Sequence, residues 1–129
     1  MTGFKSFEDI ESWQIARRLA HEIFVISGHG KFAKDFVLRD QMRRASISAL
    51  SNIAEGFERG GNAEFVQFLS VAKGSAGEIR AQTYVALDCQ YIDQVQFERL
   101  HAVATDLSRK LAALIAYLRN SGMRGVKYK

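Results

Sequence analysis

The residue pair best spaced for metal chemistry in this 129-residue chain is Glu98-Arg-Leu-His101. When a Glu-x-x-His pair lies on each of two helices of a bundle, with inward glutamates from the other two, it holds a pair of iron ions. The chain has no second such pair. On a helical wheel Glu98 falls almost opposite the apolar stripe of its own segment, so its carboxylate is expected to face solvent and no metal site is expected. Nucleophilic chemistry is no better supported. His21, His29 and His101 fall on a helix face, in a glycine loop and on a helix edge, and no serine or cysteine motif sets a base beside a nucleophile. Cys89, the lone cysteine, can form neither an internal disulfide nor a multi-cysteine metal site and reads as a small apolar residue. The stretch Gly56 to Gly61 lacks the lysine and spacing of a phosphate loop and reads as a hinge or turn, with Glu55 and Glu58 able to pair with Arg59. No catalytic residue, cofactor or small-molecule substrate is expected, and the chain is expected not to be an enzyme.

What remains is positive charge. Eighteen Lys and Arg against 14 Asp and Glu give a net charge of +4, which makes the surface mildly attractive to phosphate polyanions. The candidate phosphate contacts are Arg17, Arg18, Arg39, Arg43, Arg44, Lys73 and Arg80 along helices, then Arg119, Arg124, Lys127 and Lys129 in a stretch free of acids. Singly each is a solvated charge. Together on one surface they could neutralise phosphates without reading any sequence.

The elements that carry these residues are four apolar stripes of helical period. The first places Ile15, Ala16, Leu19, Ala20, Ile23 and Ile26 on one side and Arg17, Arg18 and His21 on the other, over roughly Glu8 or Ser12 to Ser27. Gly28-His29-Gly30 then reads as a loop. The second, about Asp35 to Gly56, lines up Leu38, Met42, Ala45, Ala49 and Ile53. It has an adjoining arc of Ile47, Leu50, Ala54 and Phe57 beside Arg39 and Arg43, wider than one seam requires. That arc is either covered within the bundle or part of a subunit interface.

Asn62 is the expected cap of the third segment, which runs to about Gln90. Its core stripe is Phe65, Phe68, Leu69, Ala72, Ala76, Ile79, Thr83, Ala86 and Leu87, while Ser70, Gly74, Gly77 and Ala81 share another side. Two mid-helix glycines each cost about 1 kcal/mol relative to alanine, so Gly74 and Gly77 point to close packing by another backbone. The fourth segment opens on a capping box, Asp93 with Gln96, and ends at Gly122, with Leu100, Ala104, Leu107, Leu111, Leu114, Ile115 and Leu118 as its stripe. Without a single proline to break them, four such helices joined by short loops predict an all-α, antiparallel up-down-up-down bundle in one domain over 1–129, with a short mobile basic tail over about 122–129. No apolar run is long enough to span a bilayer and no secretory signal is present, so a cytoplasmic protein with no membrane partner is expected.

The motifs Gln41-Met-Arg-Arg-Ala-Ser-Ile-Ser48, Asn52-Ile-Ala-Glu-Gly56 and Glu64-Phe-Val-Gln-Phe-Leu-Ser-Val-Ala-Lys-Gly-Ser75, with Phe7-Glu-Asp-Ile-Glu-Ser-Trp-Gln-Ile-Ala16 at the start, resemble the bacterial four helix bundle proteins associated with 23S rRNA intervening sequences. The resemblance extends over nearly the whole chain. It departs at Ile47-Ser48-Ala49-Leu50, where the family commonly has a proline, so a family kink is not expected here. It implies a left-to-right four-helix bundle assembling as a ring-shaped homopentamer. It also implies kinship with the accessory protein of diversity-generating retroelements, which looks like a binder of RNA and reverse transcriptase.

Two functions follow as expectations. The first is an oligomeric protein binding RNA or DNA through its helix arginines and basic tail. The alternative is a protein-interaction scaffold with no nucleic-acid role, for which Ile47, Leu50, Ala54, Phe57, Gly74 and Gly77 would form the subunit interface. Arg43, inside the surplus apolar arc, would either add to a ring of positive charge or pair with Glu55 or Glu58 of a neighbouring subunit.

Overall fold

The computed structural model describes residues 3–123, and among them there is no strand. A single 3-10 turn at Phe7–Asp9 precedes helix α1 (Glu11–Ile26), the one-turn α2 (Gly30–Lys34), α3 (Phe36–Glu58), α4 (Asn62–Asp88) and α5 (Gln94–Met123). The long helices close a square in which α1 touches α3 and α5, and α4 touches the same two. Adjacent helices run in opposite directions. Ser75 of α4 donates to Ser48 of α3 at 3.1 Å, the Tyr84 ring of α4 meets Phe97 of α5, and Glu22 and Glu11 of α1 meet Arg99 and Lys110 of α5. The up-down-up-down bundle is the arrangement the four stripes require.

The stripes become one core. Leu19, Ile23, Met42, Ile53, Leu69, Ile79, Leu107 and Leu111 are fully buried, and each side chain of this size removed from water stabilises the fold by about 2 kcal/mol. Phe68, Leu87 and Leu114 lie half-buried at the stripe edges. The wide arc on α3 has a largely internal explanation, because Leu50 and Phe57 pack against the core and Phe57 meets Phe65 edge to face at 5.9 Å. Ile47 stays 47% exposed.

The helix ends follow the capping signals in part. The Asp93 carboxylate accepts from the Gln96 amide at 2.8 Å, and the Gln96 side chain accepts from the Asp93 amide at 2.9 Å, completing the box. Asn62 is not the cap of α4. Gly61 takes that position without a side-chain bond and Asn62 is the first helical residue, so the α4 amides go without the side-chain acceptor Asn62 could have supplied. The connection after α1 is also more ordered than glycines suggest: Gly30, at φ +57, turns the chain into α2, whose Phe32 is buried at the end of the bundle. One turn is too short to show a period in the sequence.

Asp35 caps α3 by accepting from the Leu38 amide at 3.0 Å and also accepts from the Tyr91 hydroxyl at 2.8 Å, tying the α4–α5 loop to the start of α3. The Leu38 bond first, then the Tyr91 bond, hold its pKa below the ordinary 3.8. A carboxyl depressed in the folded chain contributes stability above its unfolded pKa and loses it as pH falls through the folded value. Asp35→Asn should therefore melt below the wild type at pH 7, and the gap should close as the pH falls well below the ordinary carboxylate value of 3.8. Thermal melts at both pH values test this, and a gap of equal size at both would refute a role for the charge.

Candidate nucleic-acid interface

Eight of the eleven candidate cations lie among the described residues, and the bundle divides them. Two are drawn into the fold and a third, Arg18, is exposed but paired. Arg43, on the face of α3 that looks at α1, donates from Nε to Ser27 Oγ at 2.8 Å and from Nη2 to the Phe24 carbonyl at 3.2 Å, with its guanidinium 4.7 Å from the Phe24 ring centre. It therefore has partners within its own chain, and neither Glu55 nor Glu58 is among them. Arg39 bonds Asp40 at 2.8 Å and the Ala33 carbonyl at 2.9 Å and lies over the Phe36 ring; its hydrogen bond is the main cause of the lowered Asp40 pKa. Arg18 pairs with Glu22 at 3.9 Å. A fourth, Arg80, is half-buried, with Nε out of solvent and without an acceptor among the described residues.

The remaining four are on the surface. Arg17 reaches toward the Trp13 ring at 6.0 Å. Arg44 lines a shallow recess between α3 and α4 with Gln41, Ser48 and Glu78. Lys73 and Arg119 flank a groove of about 600 Å³ between α4 and α5, and neither has an acid partner among the described residues. Arg124, Lys127 and Lys129 lie outside the described residues.

The groove is the place where sequence pattern and structure meet. Its floor is Ser70, Gly74, Gly77, Ala112 and Ala116, with Ile115 at its base. A Cβ built on Gly74 or Gly77 would meet nothing within 4 Å, so these glycines relieve no contact inside the bundle. Gly56 behaves oppositely, since its Cβ would lie 2.6 Å from Phe68 Cβ. It lies inside α3 at a tight contact with α4 and is not a hinge.

Sequence reasoning missed Arg99, which forks onto Glu22 at 3.0 and 3.2 Å across α1 and α5; that bond raises its pKa. Its spacing along the chain carried no signal, because the partner is distant in sequence. Glu98 is exposed and bonded to Gln94, and His101 stacks on Phe97. No cluster of three or more potential metal ligands occurs among the described residues, and none of their helices is long and apolar enough to cross a membrane.

A square of four antiparallel helices with one core, a glycine-floored groove and cations at its edges defines an all-α up-down bundle. The family model for the 23S rRNA-intervening sequence protein matches residues 8–113, and the chain belongs to that family. Among solved structures, a protein with unknown function from the S23 ribosomal protein family of Bacteroides thetaiotaomicron VPI-5482 is 22% identical, with a TM-score of 0.74, over 81% of this chain and 97% of that one. At that identity the likeness speaks for the fold. Among curated proteins none matches this chain.

Proposed function

We propose that the protein is a non-enzymatic oligomer that holds RNA or DNA by its phosphates along the α4/α5 face. The observation that carries this reading is the groove itself, in which Lys73 and Arg119 stand unpaired on either side of a floor without long side chains. A phosphate strand can approach such a floor closely, and two free cations there neutralise it without base contacts. In the sequence Arg124, Lys127 and Lys129 follow within ten residues of Arg119 and add positive charge for the same polyanion. A ring of five copies, which the family resemblance implies, would repeat the groove around its circumference and concentrate a field that one chain of net charge +4 cannot produce.

The scaffold reading is favoured by the same floor, because glycines with open space above them also admit a helix of a second copy, with Ile47 adding apolar area elsewhere. Binding to structured RNA across a salt series separates the two. The wild type should show a steep fall of affinity with salt, and Lys73→Gln with Arg119→Gln should flatten the slope by about two while leaving the oligomer mass unchanged. If the wild type binds no RNA or DNA in a salt-sensitive way and the double variant lowers the mass instead, the groove is a subunit interface and the nucleic-acid reading fails.

A further inference from the structure

A second recess lies away from that groove. A cleft of about 860 Å³ opens where the last turns of α1, the α1–α2 connection, the α4–α5 loop and the first turns of α5 meet, within the roughly 300–1,000 Å³ of small-molecule sites. Its floor is apolar, made by Val25, Ile26, Leu100 and the Tyr91 ring. That ring is held in place by Phe32, 5.4 Å away between centres, and by the bond to Asp35. Its rim carries three cations, Arg18, Lys31 and Arg99, against one carboxylate, Glu22, which both arginines already engage.

Two amides, with the imidazoles of His21 and His29, complete the wall. Gln96 accepts from Asp93 through its side-chain oxygen, so its NH2 is left to donate. Gln90 is the more telling residue. Helix α4 closes with paired bonds from the Gln90 amide to the Leu87 carbonyl and from the Tyr91 amide to the Ala86 carbonyl, both 2.9 Å. This closure holds Gln90 at φ +62, and it is the only non-glycine in the left-handed region among the described residues. Glycine is the usual occupant of that position because a Cβ is disfavoured there. A glutamine is held on this strained backbone with its side chain lining the cleft. Neither it nor the side chain of Lys31 makes a hydrogen bond or ion pair among the described residues. Strain of this kind gathers where a side chain is needed for recognition.

We propose that this cleft binds a nucleoside phosphate, taken either as a free mononucleotide or as the phosphorylated end of a strand. A flat heterocycle has apolar faces for the Tyr91, Val25 and Ile26 floor and a donor-acceptor edge for the Gln90 and Gln96 amides. Its phosphate supplies the negative charge that the excess of cations at Lys31, Arg18 and Arg99 calls for. An aliphatic anion would leave the amides unused, and an uncharged base would leave the cations unused. The inference does not rest on the α4/α5 groove, and the two can fail separately.

The test is a calorimetric titration of the full chain with AMP, GMP, CMP and UMP, each beside its unphosphorylated nucleoside, with inorganic phosphate, and with a short 5′-phosphorylated oligonucleotide. At least one nucleotide, or the oligonucleotide, should bind saturably and about 10-fold or more tighter than the matching nucleoside. Lys31→Gln and Gln90→Gly should each weaken that binding by about 5- to 10-fold, whereas Lys73→Gln with Arg119→Gln should leave it unchanged. Both cleft residues are exposed, so the variants should fold, and Gln90→Gly should raise the melting temperature while it weakens binding. Saturation by the oligonucleotide alone assigns the cleft to a strand end. Absence of saturation by every ligand, nucleosides that bind as tightly as nucleotides, or binding indifferent to both cleft variants overturns the proposal.

Discussion

Gly56→Ala is expected to lower stability by about 1–2 kcal/mol net, because forcing an extra methyl into a packed seam costs about 2–3 kcal/mol, the upper part of the usual range. The new Cβ would stand 2.6 Å from Phe68 Cβ and 3.1 Å from Phe65 Cδ1. Phe68 Cβ is fixed by its own helix and cannot swing aside, so α3 and α4 must separate, and the Ser75 to Ser48 bond between them lengthens. Alanine's better helix propensity offsets about 1 kcal/mol of this and does not reverse it. For a domain of this size the melting temperature should fall by about 6 °C. The control is built into the chain. Gly74 and Gly77 are also mid-helix, yet nothing stands above them, so Gly74→Ala and Gly77→Ala should each raise monomer stability by about 0.5–1 kcal/mol. Opposite signs in thermal melts at low concentration are the expected result, and a Gly56→Ala protein as stable as the wild type would mean that the helices do not approach at that point.

The same three glycines mark where the sequence was legible. The apolar stripes named the core, because burial on one face of a helix imposes a period that composition cannot hide, and Leu38, Met42, Ala45, Ala49 and Ile53 are all buried. The capping box at Asp93 and Gln96 was legible for a similar reason, since both partners lie within one turn. Gly56 read as part of a turn because a helix interior and a hinge look alike at a single glycine. Only its neighbour across the seam, Phe68, tells them apart. Asn62 failed as a cap because Gly61 fills that position one residue earlier. The candidate site was less legible than the fold: a row of arginines gives the charge but not its partners, and those depend on helices meeting across the bundle. Arg18 and Arg99 share Glu22, and Arg59 is occupied by Glu55 at 2.9 Å. Lys73 and Arg119 remain unpaired, and nothing in their local sequence distinguishes them from Arg39 or Arg43. The α1–α5 cleft was invisible for the same reason, since it joins four stretches of chain that are far apart in sequence.

Arg43→Gln should lower stability by about 2 kcal/mol, and the melting temperature by about 8 °C, while leaving any affinity for RNA and any oligomer mass unchanged. The sequence alone placed this arginine in a surplus apolar arc and offered it two uses, a phosphate contact or a bond to an acid of another subunit. Its geometry supplies a third. The last carbonyls of α1 have no partner within the helix, and the Arg43 Nη2 donates to one of them, that of Phe24, while Nε bonds the buried hydroxyl of Ser27. A cation at a helix C-terminus is further favoured by the helix dipole, by about 0.3–1 kcal/mol, and the Phe24 face adds a contact of similar size. Glutamine is too short to keep both bonds and carries no charge, so the end of α1 would lose its tie to α3. Arg43→Lys separates charge from geometry: a lysine keeps the cation near the dipole but lacks the planar fork, and should recover less than half of the loss. If Arg43→Gln instead melts with the wild type and weakens RNA binding at low salt, the guanidinium works outside the fold and belongs with Lys73 and Arg119. If the melt is unchanged and the oligomer mass drops, it works between subunits.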